Sequence, residues 1–353
     1  MTARLAAAGV ALAALVLAAP GAGRVKAGYI VSPLVADTSA RAPRADASLV
    51  NAWGLAASPT GPWWTANEAR DSSTLYSGAG RKQLLTVEVP GGPTGVVYNA
   101  GQGFRISAGR VSDPARFIYA CEDGKVRAWT PTVPHGWSTS TLVTVDEGAE
   151  AAVFRGLALS HDRLYVTDFH NARVDVYDRH WRRLQLPGSF RDPRIPDWYA
   201  PFGIQAIGDA VFVTYVWRAP VNGNDAPTGG FVDEFDRDGR LVARVAHRGV
   251  LNAPWGMALA PHGFGRFGGD LLVGNFGDGR INAYRRGAAG WAFDGTLRDA
   301  RGRQVVVDGL WGLAFGNGEL AGPRDTLFFT SGPHEWRGAT EQSVHGLLGS
   351  IVS

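Results

Sequence analysis

The sequence predicts an all-β fold: a six-bladed β-propeller whose ring is closed by the N-terminal strand. Three observations predict it, namely the abundance of turn residues, a unit of roughly 50 residues that repeats along the chain, and the lack of a helical period beyond the N-terminal segment. The 353 residues include 47 Gly, 20 Pro and 12 Trp, which is typical of short aromatic-rich strands joined by tight turns. With 45% hydrophobic and 19% charged residues, the chain can form a large core, so disordered and collagenous classes are excluded.

The first element is an export segment. Arg4 precedes an apolar run from Leu5 to Ala19, and small residues follow the run, which is the three-part pattern of a secretory signal peptide. At about 15 residues the run is too short to span a bilayer; an uncleaved N-terminal anchor is the alternative interpretation. We predict a signal peptide over residues 1–23, a propeller domain over residues 24–353, and a secreted protein, extracellular or periplasmic.

The propeller blades follow as copies of one unit. Each copy begins with a glycine in an apolar strand, continues through a turn into a second strand, and ends in a third. Four copies are clear and two are weaker, and their glycines are Gly54, Gly95, Gly156, Gly203, Gly256 and Gly312. Because a single blade leaves both faces of its sheet exposed, the six must be arranged around a central axis.

Closure of the ring and the hairpins can also be predicted. Residues 29–35 precede the first copy, and only 41 residues follow Gly312. We therefore expect Tyr29 to Val35 to pair with strands from the C-terminal part of the chain. The segments Asp236-Arg-Asp-Gly239 and Asp278-Gly279 are typical of tight turns between adjacent strands.

Two sets of side chains are predicted to meet at one mouth of the central channel, because inner strands start where second strands end. The second-strand ends supply polar groups, and the inner-strand starts supply Arg155 and aromatic rings. Carboxylates and amides above an aromatic floor suit a small molecule, glycan or peptide, and the predicted ligand-binding residues are Trp53, Asn67, Glu122, Asp123, Trp255, Asn275, Asp278 and Trp311. The competing interpretation is structural, since Asp, Asn and Gly also form turns and Trp packs between sheets.

The alternative function is a divalent-metal-dependent hydrolase or lactonase-like enzyme with its site at the same mouth. Asp168 and Asn275 are the candidate metal ligands, because their oxygens are hard donors of the kind that Ca²⁺ prefers. His170 is the candidate general base and Asp168 its catalytic partner, since an imidazole titrates near neutral pH. His334 is a second histidine on that face. Ligand binding is the leading hypothesis.

Charge and cysteine content restrict the other classes. Basic and acidic residues interleave, with 35 Lys and Arg against 32 Asp and Glu, so we expect no nucleic-acid partner. Cys121, the only cysteine, is expected to be a buried, unreactive thiol. No later apolar stretch approaches the length of a membrane span, and we expect a monomer.

Longer motifs surround the repeats: Asn51-Ala-Trp-Gly-Leu-Ala56, Asp168-Phe-His-Asn171, Tyr199-Ala-Pro-Phe-Gly-Ile-Gln205, Leu251-Asn-Ala-Pro-Trp-Gly256, Gly274-Asn-Phe-Gly-Asp-Gly279 and Asp308-Gly-Leu-Trp-Gly-Leu-Ala-Phe-Gly-Asn317. Over residues 30–353 the chain resembles a family of secreted bacterial proteins of unassigned function, some of which end in a PEP-type sorting signal. No sorting tail follows Ser353, so surface retention by that route is not expected. The resemblance implies a six-bladed propeller related in shape to NHL and gluconolactonase-like proteins, and it implies no catalytic residues.

The same resemblance bears on the enzyme alternative. Calcium-dependent lactonase propellers place acidic and amide ligands at the starts of their inner strands. In this chain the residues before the six glycines are Trp53, Thr94, Arg155, Phe202, Trp255 and Trp311. This departure weakens the lactonase interpretation.

Overall fold

The fold is the six-bladed β-propeller that the repeats predict. A computed structural model describes residues 28–218, 229–337 and 340–353; the predicted signal peptide lies outside them. In these ranges the chain forms antiparallel strands and three one-turn 3-10 helices, at Glu68–Arg70, Gly148–Glu150 and Gly265–Phe267. The described part of the chain contains no helix that is both long and apolar enough to cross a membrane.

The first three blades follow strand β1 (Ile30–Ala36). Blade 1 comprises β2 (Ala52–Ala57), β3 (Trp63–Asn67), β4 (Ser72–Tyr76) and β5 (Lys82–Glu88). Blade 2 starts with β6 (Pro93–Tyr98), continues through an inserted hairpin of β7 (Arg105–Ala108) and β8 (Val111–Pro114), and ends with β9 (Phe117–Cys121), β10 (Lys125–Trp129) and β11 (Leu142–Asp146). Blade 3 comprises β12 (Phe154–Ser160), β13 (Arg163–Asp168) and β14 (Arg173–Asp178).

The other three blades complete the ring. Blade 4 comprises β15 (Tyr199–Ile207), β16 (Ala210–Trp217), β17 (Phe231–Phe235) and β18 (Leu241–His247). Blade 5 comprises β19 (Pro254–Leu259), β20 (Leu271–Asn275), β21 (Ile281–Gly287) and β22 (Gly290–Thr296). Blade 6 comprises β23 (Leu310–Phe315), β24 (Leu327–Ser331), an inserted hairpin of β25 (His334–Arg337) and β26 (Thr340–Ser343), and β27 (Leu347–Val352).

Strand β1 supplies the outermost strand of blade 6. It pairs antiparallel with β27, from Ile30 opposite Val352 to Ala36 opposite Leu347. The sheet order is therefore β23, β24, β27, β1. The N-terminal strand closes the ring, as the sequence predicts.

Blade 3 lacks a regular fourth strand. The chain after β14 makes a single bridge, between Tyr177 and Arg183, and Leu184 donates its N–H to the carbonyl oxygen of Val176 at 2.7 Å. Three prolines follow within the next residues, at positions 187, 193 and 196. Proline lacks the N–H that a strand ladder needs, so this segment continues as turns.

The six repeated glycines lie where neighbouring inner strands approach each other around the axis. A Cβ atom on Gly203 would lie 2.1 Å from the carbonyl oxygen of Trp255, and one on Gly256 would lie 2.2 Å from that of Trp311. A Cβ atom on Gly312 would lie 2.8 Å from the carbonyl oxygen of Trp53. Blade 6 therefore packs against blade 1 in the same way. Only a residue without Cβ permits this approach, so the repeat pattern has a direct packing cause.

Hydrophobic cores fill the interfaces between neighbouring blades. Between blades 1 and 2, for example, Trp64 stacks on Phe117 with ring centroids 3.8 Å apart. Corresponding clusters lie between each other pair of adjacent blades, including blades 6 and 1. Cys121 belongs to the cluster between blades 1 and 2 and is fully buried. This burial is as predicted, and it raises the pKa of the thiol well above the ordinary value, which disfavours the reactive thiolate.

Candidate functional site

An aromatic stack closes the channel at the mouth where inner strands start. The stack consists of Trp53, Trp311 and Phe276: the Trp53 and Trp311 ring centroids are 3.5 Å apart, and those of Trp311 and Phe276 are 4.0 Å apart. Trp255 and Phe202 pack edge-on against Trp53 at 5.9 and 6.1 Å. The inner-strand starts of blades 1, 4, 5 and 6 therefore meet on the axis. The three tryptophans are only 3–9% exposed, so they form a floor beneath the mouth surface.

Arg155 lies at one end of the stack. Its guanidinium carbon is 5.4 Å from the Trp53 ring centroid and 5.8 Å from that of Phe169, within the range of cation–π attraction. The guanidinium also forms an ion pair with Glu122. Burial lowers the pKa of Arg155 to about 10, and the nearby charge of Glu68 opposes that decrease. Arg155 is therefore a cation at neutral pH, with two carboxylates beside it.

His334 lies at the other end of the stack. Its ring centroid is 5.3 Å from that of Phe276, and its Nδ1 is 2.9 Å from Oδ1 of Asp308. The His334 backbone N–H donates to Oδ2 of the same carboxylate at 2.9 Å. In the neutral imidazole this contact favours the tautomer with the proton on Nδ1, so Nε2 is the acceptor. The sequence pointed to the face of His334 but not to its pairing with Asp308.

Four buried polar atoms at second-strand ends and inner-strand starts have no hydrogen-bond partner within the described ranges. They are Trp53 Nε1, Arg155 Nε, Asn275 Oδ1 and Ser331 Oγ. Buried polar groups normally pair with protein, water or ligand. These four atoms keep unused hydrogen-bonding capacity beneath the mouth surface.

Asp168 and His170, the predicted catalytic pair, have different surroundings, and their catalytic role stays a prediction. Asp168 is fully buried and accepts hydrogen bonds from the backbone of Val153 and from Asn171, whose side chain lies at 2.7 Å. Arg173 adds an ion pair at 3.3 Å. His170 is exposed, and its carbonyl oxygen, rather than its ring, accepts a bond from Arg218.

The remaining predicted residues lie at this mouth within local networks. Asn67 is buried in blade 1 and donates to Thr74 at 2.8 Å. Asn275 donates to Asp278 at 3.0 Å and to the carbonyl oxygen of Val250. Asp123 pairs with Arg127 at 2.9 Å. These contacts show how the turns are held, and they leave the binding role of each residue as a prediction.

The oxygen donors that the structure describes near the mouth do not form a recognisable site for a divalent cation. Within residues 28–218, 229–337 and 340–353, no group of three or more His, Cys, Asp or Glu side chains is arranged to hold a metal. Both oxygens of Asp168 are engaged by Asn171 and Arg173, whereas Oδ1 of Asn275 is unpaired. The two candidate ligands together offer one free side-chain oxygen, whereas Ca²⁺ takes six to eight oxygens, so this pair does not fit the ion.

Asn51 and Asp308 are mouth residues that begin two of the longer motifs but were not predicted as site residues. Trp311 donates its Nε1–H to Oδ1 of Asn51 at 3.1 Å, and Asn51 donates to Glu68 at 2.6 Å. A signal for them exists in the sequence, because Asn51 and Asp308 each occur three or four positions before an anchoring glycine. Asn252 occupies the same place before Gly256.

Relatives of the chain are found among viral proteins. The uncharacterised protein L690 of Acanthamoeba polyphaga mimivirus is 32% identical over 345 residues, covering 94% of this chain and 88% of L690. The uncharacterised protein R648 of the same virus is 33% identical over 335 residues, covering 91% of this chain and 79% of R648. The chain belongs to the family of L690 and R648. Membership in this L690 family adds no activity or ligand, and no protein-family model matches the chain. The resemblance to secreted bacterial propellers stays a prediction.

Solved structures show the same fold in distant proteins. A streptogramin B lyase aligns with a TM-score of 0.54 at 9% identity, covering 93% of this chain and 99% of the lyase. The soluble aldose sugar dehydrogenase of Escherichia coli also aligns with a TM-score of 0.54, at 14% identity, covering 92% of this chain and 99% of the dehydrogenase. At such identities the likeness shows the propeller fold alone, which this chain shares with the lyase and the dehydrogenase.

Proposed function

We propose that this protein is a secreted binding propeller that captures a small molecule, glycan or peptide at the mouth. The observation that carries the proposal is the ion pair of Arg155 and Glu122 above the aromatic stack. Ligand sites commonly combine apolar surface with a few fixed polar groups. The export pattern before the propeller supports action outside the cytoplasmic membrane.

The mouth offers complementary contacts to a polar ring or chain. Arg155 and Glu122 are partly exposed, with 25% and 32% of their side chains accessible. They can therefore bond to ligand hydroxyl, amide or carboxylate groups, and such charge-assisted bonds are stronger than neutral ones. Phe276 is the last ring of the stack, and Phe169 lies beside Arg155 at the other end. Both rings are half-buried, so an apolar ligand face can pack against them.

The test is ligand discovery on glycan and peptide arrays with the full chain, followed by calorimetric titration of each hit. We expect Arg155→Gln to weaken binding by about tenfold or more, since a hydrogen bond to a charged group contributes about 1.5–3 kcal/mol. Arg285→Gln is the matched control, because Arg285 forms an ion pair with Asp270 on the outer part of blade 5. Unchanged affinity in Arg155→Gln, or equal losses in both variants, would refute the proposed site.

A second candidate function is catalysis at the same mouth, and the His334–Asp308 pair favours it. A carboxylate that fixes an imidazole tautomer is a common arrangement in general acid–base catalysis. Solved propellers of this fold include a lyase and dehydrogenases, yet fold alone does not choose between binding and catalysis. If an array hit is converted to product, His334→Gln should abolish turnover while leaving its affinity within about threefold.

Calcium addition separates the metal-dependent version of the enzyme candidate from the binding proposal. A metal that binds only the native state stabilises it by about 2.7 kcal/mol at a hundredfold excess over Kd. We expect the melting temperature to be equal in Ca²⁺ and in chelator, because the carboxylate of Asp168 is already paired with Asn171 and Arg173. A saturable rise in Ca²⁺ that Asn275→Ala removes would instead favour the metal-dependent hydrolase.

A further inference from the structure

The end of the central channel opposite the aromatic stack opens into a funnel. It has a volume of about 400 Å³ and is formed where the inner strands end, with Ala57, Val97, Leu159, Ala206 and Phe315 among its walls. A throat of about 40 Å³ continues along the axis between the anchoring glycines and reaches Trp255. The aromatic stack lies beyond the throat, so the funnel is a blind cavity separate from the mouth.

The funnel and throat have no charged lining residue among those that the structure describes. This is unusual in a chain with 19% charged residues. Moving an ionised group into such surroundings without a partner is costly, because water no longer solvates the charge. The cavity therefore selects against ionised ligands.

Polar atoms on five lining side chains give the funnel hydrogen-bonding capacity: Ser58, Trp63, Tyr98, Gln205 and Asn317. Trp63 lines it, is 2% exposed, and has an indole N–H with no acceptor among the described residues. Gln205 also lines the funnel, and its amide makes only a long 3.5 Å contact, to the adjacent Ala206 carbonyl oxygen. By contrast, the amide of Asn317 is committed, since it donates to two backbone carbonyls at 2.8 and 2.9 Å.

We propose that the funnel is a second binding site, for a neutral small molecule that has an apolar body and one hydrogen-bond acceptor. Its volume lies within the roughly 300–1,000 Å³ typical of small-molecule pockets. The alanine, valine, leucine and phenylalanine side chains of the walls contact the body of the ligand, and the amide of Gln205, an exposed side chain of the lining, donates to the acceptor. A medium-chain ketone has this chemistry.

The proposal is tested with two dyes that share an aromatic skeleton and differ in charge. N-phenyl-1-naphthylamine is neutral, and 8-anilino-1-naphthalenesulfonate carries a sulfonate. We expect saturable binding of one neutral dye molecule per full chain, followed by dye fluorescence, and at least tenfold weaker binding of the sulfonate. Equal affinities for the two dyes would overturn the selectivity argument and the proposal with it.

Variants locate the dye. Leu159→Glu introduces a charge into the funnel wall and should weaken binding of the neutral dye at least tenfold. Leu84→Glu is the control, because it lies at a fully exposed position on β5 and should leave the affinity unchanged. Ala57→Trp fills the funnel without adding charge and provides a second test if Leu159→Glu fails to fold. Unchanged binding in a folded Leu159→Glu or Ala57→Trp variant would place the dye elsewhere and overturn the site.

Displacement of the dye tests the hydrogen bond. We expect 2-decanone to displace the neutral dye. Decanoate, its charged counterpart, should be at least tenfold weaker as a competitor. Gln205→Leu should raise the concentration of 2-decanone that displaces half of the dye by about twofold to tenfold, the range expected for one lost hydrogen bond. If Gln205→Leu leaves that concentration unchanged and decanoate competes equally, the assigned ligand class is wrong.

Discussion

At the scale of single residues, one guanidinium in blade 4 is shared by two buried carboxylates. Arg244 Nε lies 2.5 Å from Oδ1 of Asp233, and the same side chain forms an ion pair with Asp192. Burial raises the pKa of Asp233 to about 7, and the attraction of Arg244 only partly opposes it. For Asp192, burial is outweighed by hydrogen bonds from Arg194 and Arg244, which lower the pKa to about 2. Asp192 therefore holds the charge, and Asp233 carries the proton at mildly acidic pH.

This arrangement predicts a specific pH dependence of stability. Between its unfolded pKa near 3.8 and its folded pKa of about 7, Asp233 binds more proton in the folded state, so its contribution to the free energy of unfolding falls as pH rises through that window. Asp233→Asn removes this contribution, because an amide does not titrate. From pH 5 to pH 8 the free energy of unfolding should fall less in the variant than in the unmodified protein, by about 2.7 kcal/mol, which corresponds to the two pH units between pH 5 and the folded pKa.

Urea unfolding at the two pH values measures this difference. Asp209→Asn, at an exposed carboxylate on the turn between β15 and β16, should keep the pH dependence of the unmodified protein. A pH dependence in Asp233→Asn equal to that of Asp209→Asn would show that Asp233 is ionised in the folded state at pH 5.

At the scale of elements, the anchoring glycines set how closely the inner strands approach. Gly256→Ala puts a methyl carbon 2.2 Å from the backbone oxygen of Trp311, and neither strand can move without disturbing its blade. We expect a loss of about 2–3 kcal/mol in the free energy of unfolding, the upper part of the range for overpacking. Gly136→Ala is the control, because no atom lies within 4 Å of its added Cβ. Equal denaturant midpoints for the two variants would contradict this account of the repeat.

The same packing rule explains why the element order could be predicted. Glycine at the axis and the tight turns at Asp236 and Asp278 are local requirements, so they are visible in the sequence at every blade. The irregular outer edge of blade 3 and the two inserted hairpins could not be predicted, because no element of the common unit corresponds to them. Their extra residues are accommodated at turns, where the blade packing imposes no fixed length.

At the scale of the whole molecule, the mouth is assembled from residues that the ring brings together from different blades. Trp53 and Trp311 stack although 258 positions separate them, and the sequence placed both at inner-strand starts. The sequence could place side chains at the mouth in this way, but it could not pair them. Pairing of Arg155 with Glu122, and of His334 with Asp308, depends on side-chain direction and on the angle between adjacent blades, which repeat spacing does not encode.

Ring closure itself predicts a stabilising cross-link. Ser32 in β1 is the register partner of Ser350 in β27, so cysteines at both positions can form a disulfide that closes nearly the whole chain into one loop. A loop of this size should stabilise the oxidised protein by on the order of 4 kcal/mol through the entropy of the unfolded chain. Guanidinium unfolding of the oxidised and reduced Ser32→Cys/Ser350→Cys protein measures the gain, and the fully buried Cys121 does not compete for the bond.

Val31→Cys/Ser350→Cys is the off-register control. It should remain reduced, because neighbouring strand residues point to opposite faces of the sheet. If that off-register pair oxidised as readily as the matched pair, β1 would not hold the register through which it closes the ring.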